Sequence, residues 1–99
     1  MKEYLIKQPN HYKITNADRA YAISRGKPLH CKMSLAQGHY RDTAIINAND
    51  LNEVFEIGNI HHDQVERLGE FYSISVGDLI VDSIENKTYM VAPIGFTEI

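Results

Sequence analysis

The chain has a single cysteine, no tryptophan and no long run of apolar residues. With Cys31 alone, neither an intramolecular disulfide nor a zinc site built from several cysteines is possible. No apolar run approaches the ~20 residues that a membrane-spanning helix needs, so we expect no membrane insertion. The first ten residues, MKEYLIKQPN, lack the apolar core of a secretory signal. The cytoplasm is therefore the expected compartment.

Motifs for catalysis and metal binding are also missing. There is no Gly-rich phosphate loop and no Gly-x-Ser-x-Gly nucleophile elbow. Residues 61–63, His-His-Asp, are a weak metal signal, because neighbouring side chains on a strand point to opposite sides and a metal needs converging ligands. Cys31, Ser73 or Ser75 paired with a histidine would form a nucleophile–base pair, but no local pattern favours it. We expect no cofactor and no catalysis. A small enzyme or metal-binding protein is therefore the third-ranked hypothesis for the function.

The charges are distributed unevenly along the chain. Residues 1–41 carry eight Lys/Arg and two acids, whereas residues 42–99 carry eleven acids and two Lys/Arg. Such a division indicates either a surface with a basic and an acidic side or two halves that neutralise each other across the fold. Binding of a nucleic acid is therefore our second-ranked hypothesis for the function. The contacts would come from the basic half, through Lys13, Arg19, Arg25, Lys27 and Lys32.

In the basic half, the pattern predicts a strand over 4–6, a second short strand over 11–14 and a helix over 16–25. The helix begins at a capping box that starts with Thr15, and it ends before Gly26. The alternation that follows predicts a half-buried strand over 29–33.

Residues 34–43, SLAQGHYRDT, have the least pattern and are predicted to form a loop. This loop is either a solvated connector or a recognition loop anchored by Tyr40 and Arg41. Strand 44–47 and a helix over 51–57 come next; an Asp50 capping box starts this helix and Gly58 ends it. One or two helical turns are expected over 63–68. The candidate partner-binding residues are His39, Tyr40, Arg41, Asp42, Asp50, Glu53 and Glu56.

The sequence pattern of residues 73–99 predicts a β-meander. A turn at Val76-Gly77-Asp78 precedes the strand Leu79-Ile80-Val81, and Asn86 is suited to the left-handed position of the next turn. A return strand over 88–92 ends before Pro93, and 94–99 form the last strand. A meander of this size needs other elements to cover one face.

These residues also resemble a known family. The signature Ser73-x-Ser75-Val76-x-Asp78, the apolar strand, Tyr89-x-Val91 and Gly95-Phe96-Thr97-Glu98 are similar to the C-terminal signature of the YodL-like domain. A segment over 51–59, Leu-x-x-Val-Phe-Glu-x-x-Asn, resembles a helix that precedes it. Phe71-Tyr72 stand where that family often has Gly-His. The resemblance implies a product of a phage or another mobile element in a bacterial host cell, and it brings no catalytic residues with it.

We therefore expect a single α+β domain of mostly antiparallel sheet, covered by two or three short helices. The expected function is non-catalytic: an accessory protein that binds and modulates a host protein, as a monomer or a homodimer. The predicted core residues are Leu5, Ile14, Tyr21, Cys31, Ile45, Leu51, Val54, Phe55, Leu68, Leu79, Val81, Tyr89, Val91 and Phe96.

Overall fold

A computed structural model describes residues 1–99 and confirms the α+β class. Six strands form one antiparallel sheet in the order β3-β2-β1-β4-β5-β6. The strands are β1 (Lys2–Pro9), β2 (Tyr40–Ala48), β3 (Val65–Arg67), β4 (Leu79–Asp82), β5 (Lys87–Val91) and β6 (Phe96–Glu98). The helices are α1 (Ala17–Ser24), α2 (Pro28–Ala36) and α3 (Leu51–Ile60), with a 3-10 turn at His62–Gln64. None of the helices combines the length and apolar character needed to cross a membrane.

The first face of the sheet carries the larger core. Tyr4 pairs with Ile46, and Ile6 pairs with Ile80, so these buried side chains lie on the same face across β2, β1 and β4. Helix α3 covers this face with Val54, which is fully buried. Burying such aliphatic side chains is the main stabilising term of a domain this small.

The second face carries a smaller core next to α1 and α2. Ile23 from α1 and Cys31 from α2 pack with Leu79 and Met90 from the meander. Ile14, just before α1, completes this cluster. Helices α1 and α2 therefore pack against one face of the sheet and the acidic helix α3 packs against the other.

Strands β1 and β2 were predicted correctly, but the prediction of their buried faces is wrong by one residue. Leu5, Ile45 and Val81 pair with one another on the second face and are only half-buried. Their neighbours Ile6 and Ile46 are fully buried instead. Each strand is apolar on both faces, so alternation in the sequence does not mark the inward one, and a shift of one residue exchanges the faces.

The rest of the predicted core divides into three groups. Buried as predicted are Ile14, Cys31, Val54, Leu79 and Val91. Half-buried are Leu51, Phe55, Tyr89 and Phe96. Exposed, and therefore wrongly predicted, are Tyr21 and Leu68.

The predicted strand over 29–33 is wrong, because α2 occupies Pro28–Ala36. Pro28 takes a first position in the helix, where its missing N–H costs nothing and its fixed φ favours helix. Cys31 and Ser34, three residues apart, point into the protein, while Leu29 and Met33 are exposed. The apparent period of two was thus a chance pattern on a helix.

Two other predicted elements in the first half differ. Residues 11–14 form a turn in which Lys13 N and Ile14 N donate to Asn10 O, not a strand. The helix predicted over 16–25 is present as α1, but its N-cap is Asn16, whose side chain accepts from Arg19 N. Thr15 is therefore not the cap.

The predicted loop over 34–43 does not exist as a loop. Helix α2 continues to Ala36, Gly38 adopts φ 74° in a short turn, and β2 begins at Tyr40. Of the one or two helical turns predicted over 63–68, the 3-10 turn His62–Gln64 is present at the start, and strand β3, which pairs with β2, replaces the rest. The secondary structure of both segments depends on pairing between strands that are distant in the chain. The local sequence does not encode such pairing.

Gly58 does not end α3, which runs to Ile60. The glycine is buried, and a Cβ there would lie 2.4 Å from Ile74 Cδ1. It therefore allows the helix to pack closely against the loop before β4. Asp50 does begin α3 as predicted.

The predicted meander is present as β4, β5 and β6. Asn86 adopts φ 55° in the first turn, as expected from its tolerance of the left-handed region. The two edges of the whole sheet, β3 and β6, are three residues long each. Short edges offer little unpaired backbone to a second copy.

Candidate functional site

The two charged halves neutralise each other only through Lys2 and Lys7. Of the ten Lys/Arg residues, only Lys2 and Lys7 have a carboxylate oxygen within 4.0 Å. Lys2 Nζ lies 2.9 Å from Asp82 and 3.2 Å from Glu85, and Lys7 Nζ lies 2.8 Å from Asp42. The cations of α1 and α2 and the carboxylates of α3 therefore remain available to ligands.

Three of the candidate residues on β2 make contacts that hold the fold together. Tyr40 is half-buried, and its hydroxyl donates to Gly77 O at 2.7 Å. Burial raises the pKa of this hydroxyl, so Tyr40 remains a neutral donor. Arg41 donates to Glu70 O and lies over the Tyr72 ring at 5.8 Å.

The third is Asp42, whose carboxylate accepts from Lys7 Nζ at 2.8 Å across the β1–β2 pair. His39 alone is free of such side-chain contacts, since only its backbone is bonded, donating to Ser34 O. The structure therefore does not bring residues 39–42 together as one recognition surface.

The acidic candidates on α3 have two different roles. Asp50 Oδ1 accepts from Glu53 N at 2.8 Å, and Glu53 Oε1 accepts from Asn49 N at 3.1 Å. The pair resembles a capping box, except that Glu53 bonds the backbone of Asn49, the residue before the N-cap. Glu56 is exposed and lies 3.8 Å from His61 Nε2. Among the three, Glu56 is the carboxylate that is free to meet a partner without loss of the helix cap.

An apolar groove lies beside Glu56, between α3 and the β5–β6 turn. Its volume is about 380 Å³, and five of its nine lining residues are hydrophobic, none of them basic. Phe55 and Phe96 line it with their rings edge to face, 6.4 Å apart at 70°. Next to the groove, Ile94 is 95% exposed. We call this the α3–β6 groove.

The α3–β6 groove was not predicted as a site, although Phe55 was predicted as core. A signal was present in the pattern: Pro93-Ile94-Gly95-Phe96 places two large apolar residues at a turn, where polar residues are usual.

The signature Ser73 to Asp78 has a structural role. Asp78 is 4% exposed, and its Oδ2 accepts from Ser75 N and from Gln8 Nε2, each at 3.0 Å. Gln8 also donates to Tyr72 O at 2.8 Å, and Tyr72 N donates to Gln8 Oε1 at 3.2 Å. Burial raises the pKa of Asp78 to about 6. These bonds fasten the loop before β4 onto the central strand.

The possible nucleophiles show no activation. Cys31 is fully buried, and burial raises the pKa of its thiol, which disfavours the reactive thiolate. Ser73 Oγ lies 3.4 Å from His62 Nε2, but no carboxylate bonds the other nitrogen of His62. A serine nucleophile needs a base that is itself oriented by a third group, so this pair lacks part of a triad.

No group of three or more His, Cys, Asp or Glu residues lies close enough together to hold a metal ion. His61 instead lies close to the carboxylate of Glu56, and His62 contacts Ser73 Oγ and the ring of Phe71.

The basic candidates divide into two locations. Lys13 and Arg19 line a polar cavity at the start of α1, together with His39. Arg25, Lys27 and Lys32 are exposed and lie outside this cavity. All five bases lack a carboxylate partner.

Comparison with known proteins gives no relative: no protein-family profile, no curated protein and no solved structure matches the chain.

Proposed function

We propose that this chain is a non-catalytic accessory protein that binds a basic segment of another protein in the α3–β6 groove. The observation that carries the proposal is the combination of an aromatic-lined apolar groove with one exposed carboxylate, that of Glu56, at its rim. Phe55 and Phe96 form the apolar wall, and Glu56 lies at the rim.

The chemistry of the groove defines the partner. Aromatic and aliphatic side chains at the centre of an interface provide most of the binding energy, and charged rims set orientation and association rate. The groove has no Lys or Arg among its lining residues. A segment with a large apolar side chain flanked by Lys or Arg complements it in both shape and charge.

The biological setting is part of the same proposal. The resemblance of residues 51–59 and 73–99 to the YodL-like domain supports a protein of a phage or another mobile element, acting on a host protein in the bacterial cytoplasm. Small proteins of such elements commonly act by occupying a surface of a host protein.

Affinity capture from a bacterial host lysate, with nuclease treatment, tests the proposal when it is run on matched variants. Glu56→Lys reverses the rim charge without disturbing the helix cap. Glu66→Lys, an exposed residue on β3 at the other edge of the sheet, is the control. We expect a captured protein to be lost with Glu56→Lys and retained with Glu66→Lys. Equal retention by both variants contradicts the proposal.

Nucleic-acid binding through α1 and α2 is the second candidate, and it is favoured by the five bases that have no carboxylate partner. Phosphate contacts by such bases make affinity fall steeply with salt. Lys27→Glu and Lys32→Glu should each weaken binding to a single-stranded oligonucleotide and lower its salt dependence. An affinity that neither variant changes removes this candidate.

A further inference from the structure

A polar cavity lies where the start of α1, the first turn of α2 and the α2–β2 turn meet. Its volume is about 340 Å³, and only one of its nine lining residues, Ile14, is hydrophobic. Cavities that bind drug-like organic molecules are mostly apolar. A cavity of this size with polar walls is suited to a small, strongly hydrated or charged group.

The charge of the walls selects the sign of that group. Lys13, Arg19, His30 and His39 line the cavity, and Asp18 is the one acid among its walls. Asp18 forms no ion pair with Lys13 or Arg19. The cations are therefore not neutralised from within the chain, and an anion is the complementary ligand.

Arg19 is held in place before any ligand arrives. Its Nη1 donates to Ser34 Oγ at 3.0 Å and to Gln37 Oε1 at 3.3 Å, and Ser34 is fully buried. The guanidinium has five N–H donors, and those on Nε and Nη2 make no side-chain bond within the chain. A guanidinium fixed on one side by a buried hydroxyl is pre-organised to bind an oxyanion with its other donors.

The two histidines give independent evidence that a partner is missing. Nδ1 of His30 and Nδ1 of His39 are both buried, and they are the only buried side-chain nitrogen or oxygen atoms without a hydrogen-bond partner. Buried polar atoms are almost always bonded, so each exception needs an explanation. Both exceptions belong to residues that line the same cavity. Because both Nδ1 atoms are closed off from the cavity as the rings stand, each ring has to turn about its χ2 bond before a bound oxyanion can supply the missing partner.

We propose that this cavity, defined by Lys13, Arg19, His30 and His39, binds a phosphate group. Phosphate carries several acceptor oxygens in a tetrahedral arrangement, and donors from α1, from α2 and from the α2–β2 turn approach the cavity from different directions. A planar carboxylate offers two oxygens in one plane and satisfies fewer of these donors. The site is separate from the α3–β6 groove and does not depend on the proposed function there.

The first test is a nuclear magnetic resonance titration of the full chain with inorganic phosphate, compared with chloride at equal ionic strength and pH. We expect saturable shifts of the His30 and His39 ring resonances with phosphate alone. Shifts that do not saturate, or that chloride reproduces, overturn the proposal.

Matched variants locate the site. Lys13→Gln removes an exposed cation of the cavity, whereas Lys32→Gln removes an exposed cation of α2 outside it. His39→Gln has its control in His11→Gln, because His11 is exposed and outside the cavity. We expect each cavity variant to weaken phosphate binding about tenfold, as loss of one charge-assisted hydrogen bond does. Equal weakening by a cavity variant and its control means non-specific attraction and overturns the proposal.

Two further ligands identify the source of the phosphate. A nucleoside 5′-monophosphate carries a terminal monoester, and a dinucleotide without terminal phosphates carries only an internal diester. Tighter binding of the monoester supports a small phosphorylated molecule, and tighter binding of the diester supports a polynucleotide backbone. If neither ligand competes with inorganic phosphate, the cavity takes only an adventitious ion and no phosphate ester, and the proposal is overturned.

Discussion

Asp78 is the residue at which a single substitution best distinguishes a hydrogen-bonding role from the burial of a charge. The carboxylate is buried, and its Oδ2 accepts from both Ser75 N and Gln8 Nε2. Replacement by asparagine keeps an oxygen that can accept both bonds, but removes the negative charge. Asp78→Asn therefore separates the role of the hydrogen bonds from the burial of a charge.

The sign of the effect follows from the pKa. Burial raises the pKa of Asp78 from 3.8 to about 6 in the folded protein. The stability that the protonated form contributes is fully present below pH 3.8 and is lost as the pH rises through about 6. The shift corresponds to at most about 3 kcal/mol of unfolding free energy. Asp78→Asn does not ionise, so at pH 7.5 it should be more stable than the natural chain by up to that amount.

Urea unfolding followed by circular dichroism, at pH 5 and at pH 7.5, measures this difference. Asp63→Asn, an exposed carboxylate on the 3-10 turn, is the control and should change neither value. We expect the stability gained by Asp78→Asn to grow between the two pH values. The reasoning is refuted if the variant is destabilised by the same amount at both, because Asp78 would then act through its hydrogen bonds and not through its charge.

Four further substitutions test the packing. Gly77→Ala should lose about 3–5 kcal/mol in urea unfolding, because φ is 93° and a Cβ would lie 2.2 Å from Ile23 O. Gly95→Ala, also at positive φ but with open space, should lose about 1 kcal/mol; equal losses would contradict the contact. Tyr40→Phe should lose about 1–2 kcal/mol, since the Gly77 carbonyl loses its hydroxyl donor, and no loss would mean that water replaces it. Phe55→Ala should lose about 2–3 kcal/mol, less than a fully buried phenylalanine; a loss below ~1 kcal/mol would mean that Phe55 contributes little to packing.

The elements that were predictable are those whose signals are local. Asp50 caps α3 by accepting from Glu53 N, and the three-residue spacing of the two acids is visible in the sequence. Asn86 occupies the left-handed turn position because its short side chain tolerates that conformation. The meander was predictable because its strands are neighbours in sequence.

The candidate sites were less predictable because they depend on contacts between distant residues. The sequence gives no sign that Arg41 and Asp42 have partners within the chain. Pairing of β1 with β2 brings Lys7 to Asp42, and the loop before β4 brings the Glu70 carbonyl to Arg41. His30 was placed on a strand, and only the helix α2 sets it beside the same cavity as His39.

The class of fold, the division of charge, the start of α3 and the turns of the meander all follow from the amino-acid sequence alone. The tertiary structure alone decided which face of each strand is buried, since Tyr4-Leu5-Ile6 is apolar on both sides. It also decided that most Lys and Arg residues have no carboxylate partner and that a cationic cavity forms. The physical reason is that charge and turn chemistry act over a few residues, whereas burial and pairing depend on segments distant in the chain.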